Sequence, residues 1–159
     1  MAQQSTEYGK RQGHNHKVFN VPIAASEVFK KKGGAFMVDD ASGRLEIATA
    51  TVTKLLGHID NFQEDFTASA TEGATVLPLN QDLENVYELP INSGTYAATM
   101  RGKTTDLSIS SSIQGVALGA SAIDVIEIVN AGYTDPADAS IDTVLVKLWR
   151  GALTRAGVV

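Results

Sequence analysis

The chain has no cysteine. That excludes disulfides, thiolate metal ligands and cysteine nucleophiles, although it fixes no compartment. Long apolar runs are missing too. Nothing approaches the roughly 18 residues of a membrane-spanning helix, and the first thirty residues hold no apolar stretch of signal-peptide length. Aromatic residues are few, with one Trp, four Tyr and five Phe. A sugar-binding platform would have to be assembled from Tyr96, Tyr133 and Trp149. After Met1, residues 1–16 contain no large aliphatic side chain. Such a segment cannot bury enough apolar surface to offset its ordering entropy. It is expected to be an arm, disordered by itself and ordered on a partner.

What is present is divided by charge. Residues 1–32 carry six basic side chains (Lys10, Arg11, Lys17, Lys30, Lys31, Lys32) against Glu7 and Glu27, a net of +4. The remaining residues carry seven basic against sixteen acidic, a net of −9, which gives the overall −5. A basic segment leading an acidic body marks an interaction arm. An acidic body excludes nucleic acid as the domain's partner, because phosphate contacts need clustered Lys and Arg.

The hydrophobic pattern is that of strands. Residues 35–59 give the plainest hairpin signal. Phe36 and Val38 alternate with Met37, Asp39–Gly43 supplies turn residues, and Leu45 and Ile47 alternate with Arg44 and Glu46. Leu55, Leu56 and Ile59 then form an apolar knot around Gly57. Further strands are expected over 17–21, 74–79, 86–91, 105–109, 113–118, 122–130 and 141–149. Pro78 places its strand at an edge, and Pro90 suggests an edge or a bend. The segment 122–130 carries Ile and Val on both faces, so it reads as central and covered on both sides. Ser26 could cap a helical turn over 23–29, which the Lys30–Lys32 run and Gly33-Gly34 would end. Turn residues recur every 8–15 positions, and no long amphipathic helix is visible. At 159 residues the chain suggests one domain, which buries roughly 70% of its unfolded surface. The fold class is all-β (mainly β): a small antiparallel β-barrel or sandwich over 17–150, with an extended N-terminal arm over 1–16 and a short tail over 151–159.

Motifs that carry chemistry are nearly absent. His14 and His16 with His58 have metal-ligand character, but two lie in the arm, and surface histidines are the simpler reading. Asp39 and Asp40, and Asp135, Asp138 and Asp142, sit in loops without the calcium-loop pattern. No G-x-S-x-G occurs, and Gly115-x-x-x-Gly119 is not followed by Lys-Ser/Thr, so it is not a phosphate loop. Glu64 and Asp65 lie in a polar loop without a desolvated partner. Neither an enzyme, nor a cofactor, nor a metal site is expected.

The order of features resembles the small β-barrel cement, or decoration, proteins of tailed-bacteriophage heads. The matching pieces are VPIAASEVFKKKGGAFMVDDASGRLEIATA (21–50), LLGHID (55–60), VYELPINSGTYAATMRGKTTDLSI (86–109), IDVIEIVN (123–130) and TVLVKLW (143–149). They span about residues 17–150, and they are turn and strand patterns rather than chemical signatures. The resemblance implies a structural virion protein, assembled in the host cytoplasm and placed on the outer capsid surface. Its copies, often trimers, would bridge neighbouring subunits of the major capsid protein, with no catalytic residue, no nucleic acid and no membrane involved. On this reading the partner-contacting residues are Tyr8, Lys10 and Arg11 in the arm, the Lys30, Lys31, Lys32 run, and Phe62 and Phe66. Two alternatives stay open: another virion part, such as a head-fibre base or tail component, and a carbohydrate-binding β module.

Overall fold

A computed structural model describes residues 9–12, 18–30, 34–50, 52, 54–60, 64–119, 125–132 and 143–149. Thirteen strands run through them: β1 Gly9–Gln12, β2 Val18–Pro22, β3 Val28–Phe29, β4 Ala35–Asp39, β5 Leu45–Ile47, β6 Gly57–Ile59, β7 Phe66–Thr67, β8 Val76–Asn80, β9 Val86–Ser93, β10 Thr104–Ser110, β11 Ile113–Ala117, β12 Ile126–Ala131 and β13 Thr143–Leu148. The described residues contain no α-helix and one 3-10 turn, Ala98–Met100. The molecule is all-β, as expected.

The strands form two large sheets, and each closes or nearly closes on itself. In the first, β9, β11, β10, β12 and β13 follow one another, and β13 pairs back onto β9 to complete a five-stranded ring. All its pairings are antiparallel except β9 with β11. In the second sheet the order is β2-β8-β6-β4-β5, antiparallel throughout. A single parallel bridge, Ile23 to Leu45, joins the two outer strands at one end. The short pair β3–β7 lies apart from both. Closure removes strand edges that would otherwise present unpaired backbone groups.

Each sheet wraps its own apolar core, and β4 is common to both. Phe36 and Val38 point into a cluster with Tyr87, Leu89, Leu107, Val116, Ile126, Ile128, Val144, Val146 and Leu148. Ala35 and Met37, on the opposite face, join Ile23, Phe29, Leu45, Ile59 and Leu79. The period of two in a strand sends alternate side chains to opposite sides, and here both sides are interior. Gln114 on β11 ties the two sheets together. Its Nε2 donates to Phe36 O (3.0 Å) and Ala48 O (2.9 Å), while its Oε1 accepts from Phe36 N–H at 2.8 Å. One buried amide thus serves the Phe36 N–H and the Ala48 carbonyl, and shares the Phe36 carbonyl with the Ala48 N–H at 3.0 Å.

Local chemistry explains the turns. At the β4–β5 hairpin the Asp40 carboxylate accepts N–H groups from Ser42 (2.7 Å) and Arg44 (3.0 Å), and Gly43 adopts φ +77°. Those hydrogen bonds hold the Asp40 carboxyl below its ordinary range. The β10–β11 hairpin turns on Ser111 and Ser112, both left-handed at φ 50° and 64°. Tight hairpins require that conformation, normally from Asn or Gly. Gly34, at φ +63°, leads into β4 where a Cβ would run into the Ile59 carbonyl.

Several expectations are corrected. Residues 23–29 form no helical turn: Ile23 bridges to Leu45, Ser26 adopts φ 61°, and Val28–Phe29 is a strand. Strand β8 stands between β2 and β6 rather than at an edge. Pro78 is tolerated there because β6 meets β8 only at Asn80. Strand β9, despite Pro90, is the longest and has three partners; Pro90 falls where one edge passes from β1 to β11. In β12 only Ile126 and Ile128 are fully buried, while Glu127 and Val129 on the other face are half-exposed. Within the expected arm, Gly9–Gln12 pairs antiparallel with β9 of its own chain.

Candidate interaction surface

The residues singled out for partner contact divide among three places. Lys30 and Phe66 come together. Strand β3 pairs with β7 in the register Phe29 to Phe66, and the two rings pack with centroids 6.3 Å apart. Lys30, next along the chain, sets its Nζ 3.4 Å from Asp65 Oδ2 at a largely exposed position. Phe66 is half-buried against the second core, so its ring is anchored within its own domain. Lys10 and Arg11 lie on β1, along β9 of the other sheet. Tyr8, Lys31, Lys32 and Phe62 lie outside the described residues, as do His14, His16, Asp135, Asp138, Asp142 and Tyr133.

His58 is not a surface histidine. It is fully buried, with its ring stacked on Tyr87 at 3.9 Å and 31° and edge-on to Phe36 at 4.7 Å. Its Nδ1 lies 2.6 Å from Asp60 Oδ1, and Asn80 Nδ2 donates to Asp60 Oδ2 at 3.1 Å. Asn85 Nδ2 donates to the Tyr87 hydroxyl at 3.4 Å. Burial, then the Asp60 carboxylate, pushes the Tyr87 phenol well above its ordinary range. This network joins β6, β8 and β9, so it fastens one sheet to the other through buried ring and polar contacts. A second buried pair, Thr143 Oγ1–H to Glu88 Oε1 at 2.7 Å, spans β13 and β9. Among the described residues, no three His, Cys, Asp or Glu side chains gather to hold a metal ion, and no helix is long and apolar enough to cross a membrane.

Sequence reasoning expected strands over 17–21 and 74–79 but missed the exposed apolar face of the ribbon that β2 and β8 form. Three of the five large hydrophobic side chains exposed among the described residues sit there: Val18 at 38%, Phe19 at 55% and Val76 at 56%. Along β2, Val18, Asn20 and Pro22 share one face and stand opposite Asn80, Pro78 and Val76. Pro22 and Pro78 are exposed as well, which makes this outer face apolar over most of its length. Phe19 and Val21 point the other way, opposite Leu79 and Leu77. Val21 and Leu77 are partly buried against the second core, whereas Phe19 remains outside at its mouth. The sequence signal was available in VFNVP, where apolar side chains occupy both faces of a strand, but that pattern equally describes a doubly buried strand.

Electrostatics mark one further spot. Glu27 accepts the Ile47 N–H at 3.2 Å on the outer edge of β5. Burial, with Glu46 and Glu72 nearby, raises its pKa despite that hydrogen bond. Glu72 is itself 3.5 Å from Arg44. The carboxylate thus occupies an edge position that a neighbouring strand would otherwise use.

Compared with protein-family models, with curated proteins and with solved structures, the chain matches none.

Proposed function

We propose that this protein is a structural virion component that decorates and stabilises a tailed-phage head, with copies bridging neighbouring subunits of the major capsid protein. The reading originates in the resemblance of segments 21–50, 55–60, 86–109, 123–130 and 143–149 to cement proteins. The observation that carries it is the outer face of the β2–β8 ribbon, where Val18, Pro22, Val76 and Pro78 lie exposed together. Apolar side chains gathered in one patch mark a protein contact better than scattered ones do. The rigid double-ring scaffold beneath holds that patch in a fixed shape, which limits the entropy lost on binding. Many copies on one shell add weak single contacts into firm attachment.

The test adds purified protein to heads that lack it. Bound copies per head and rupture temperature are measured for the native chain and for a Val18→Ser, Val76→Ser variant. Native protein is expected to bind and raise the rupture temperature, and the variant to bind at least about tenfold more weakly. Native protein that leaves heads bare, or a variant that binds as well as native, overturns the reading. Antibody labelling of intact particles separates the head surface from a fibre base or tail position.

A further inference from the structure

The outer edge of β2 lies beside a groove lined by Phe19, Val21, Leu45 and Leu56. Backbone groups alternate sides along a strand. Ile23 N–H donates toward β8, to Thr75 O at 2.9 Å, and Ala24 N–H donates the opposite way, to Leu45 O at 2.8 Å. Counting back by twos, the amides and carbonyls of Val18 and Asn20 face the same side as Ala24. Over Val18–Pro22 that side has no ladder partner among the described residues. Strand β5 cannot supply one, because its outer edge is engaged by Ala24 at Leu45 and by Glu27 at Ile47. Beyond Leu45, β2 and the β4–β5 turn diverge around a groove of ≈ 330 Å³. Its lining includes Leu45, Leu56 and Leu79, with Phe19 on one side and Asp39 on the other. Apolar floor, open backbone edge and exposed ring together describe a site for strand addition.

We infer that residues 150–159 of a neighbouring copy, RGALTRAGVV, fill this groove as an added strand along β2. Charge is the first argument. The segment carries Arg150 and Arg155 and no acidic side chain, whereas the groove carries Asp39 and, among the described residues of its lining, no basic one. Its apolar residues are the second. Leu153 and Arg155 stand two residues, about 7 Å, apart on one face of an extended segment, so that face offers an aliphatic group to the leucine floor while the long Arg155 side chain reaches toward Asp39 at the rim. Length is the third. The edge Val18–Pro22 is about 17 Å long, while ten extended residues reach about 33 Å. About half the segment therefore crosses from one copy to the next. The contact is not self-complementary: every copy donates a segment and receives one. Repetition of such a contact closes into a ring when the rotation permits. This inference concerns contacts between copies and does not depend on attachment to a shell.

Two full-length variants test it. Phe19→Ser spoils the groove and leaves the donated segment intact, and Leu153→Asp does the reverse. Molar mass by light scattering is measured for native protein, for each variant and for their equimolar mixture, with thermal unfolding as the check on folding. Native protein is expected to be oligomeric, and each variant monomeric with an unchanged thermal transition. The mixture is expected to reach the mass of a dimer and stop there, since only one productive pairing remains. A variant that keeps the native mass, a mixture that stays monomeric, or a native chain that is itself monomeric overturns the inference.

Discussion

Strands β4 and β2 make an instructive pair. Each has five residues, each holds one phenylalanine among aliphatic neighbours, and each belongs to the same sheet. Phe36 of β4 is 0% exposed and Phe19 of β2 is 55% exposed. The difference lies in position in the ladder rather than in composition. Strand β4 lies between β6 and β5 with a core on either face. Strand β2 is the outer member, with one face toward solvent and, among the described residues, no ladder partner along its outer edge. An apolar strand covered on both faces is scaffold, whereas one covered only in part leaves apolar surface in the solvent.

The strongest challenge to that contrast is truncation of the two rings. Phe36→Ala removes a ring in edge-to-face contact with Tyr87 and His58 at 5.1 and 4.7 Å. It is expected to cost about 3–5 kcal/mol in denaturant unfolding, through lost burial and the cavity left behind. Phe19→Ala is expected to change stability by no more than about 0.5 kcal/mol. Equal effects would dissolve the distinction between scaffold and contact strand. A smaller effect sharpens what makes β4 a shared wall. Gln114→Ala takes the amide away from the Phe36 N–H and the Ala48 carbonyl, while the Phe36 carbonyl keeps the Ala48 N–H. An expected loss of about 2–3 kcal/mol follows from the desolvated groups, read as a lower urea midpoint. A loss below about 0.5 kcal/mol would mean that the two sheets are held together elsewhere, for instance through the His58–Asp60 network.

The smallest effect probes an edge of the same sheet. Folding raises the Glu27 pKa above its ordinary 4.5. The folded state therefore holds this proton more tightly than the unfolded chain. The associated stability is present below pH 4.5 and is lost as pH rises through the folded value. Glu27→Gln keeps an oxygen for the Ile47 N–H and removes the charge. It is expected to raise the melting temperature slightly at pH 7 and to have no effect well below pH 4.5. Glu27 is only half-buried, so the gain stays small. A lower melting temperature at pH 7 would show that the ionised form holds the β5 edge.

Much of this architecture was legible in the residues themselves. The alternation around Asp39–Gly43 located β4, β5 and their turn, because side-chain period and turn chemistry are local properties. The apolar runs at 86–91 and 141–149 announced β9 and β13 for the same reason. What escaped was non-local. Pro78 and Pro90 argued for edges, yet each is tolerated inside a sheet where the neighbouring strand pairs elsewhere. The serines at 111 and 112 hid a tight hairpin behind residues that seldom adopt positive φ. His58 looked like a surface residue because nothing nearby in sequence predicts a stack on Tyr87 from another sheet. Of the residues singled out for partner contact, Lys30 and Phe66 are brought near each other by the β3–β7 pairing, a proximity their separation in sequence does not announce. The apolar face of the β2–β8 ribbon was not legible, since burial of an alternating strand is decided by what lies across from it.

The chain also leaves the first ring and returns to it. Strand β1 pairs with β9, yet every strand of the second sheet lies between them in sequence. During folding, β1 has no partner until the chain has gone out, built that sheet and come back. Closing so long a loop as free coil carries an entropic penalty that grows with the logarithm of its length. Once the second sheet is formed the loop is effectively short, and the penalty falls. Docking of β1 is then a late step that follows the assembly of both rings, so its backbone amides should be among the first to exchange with solvent.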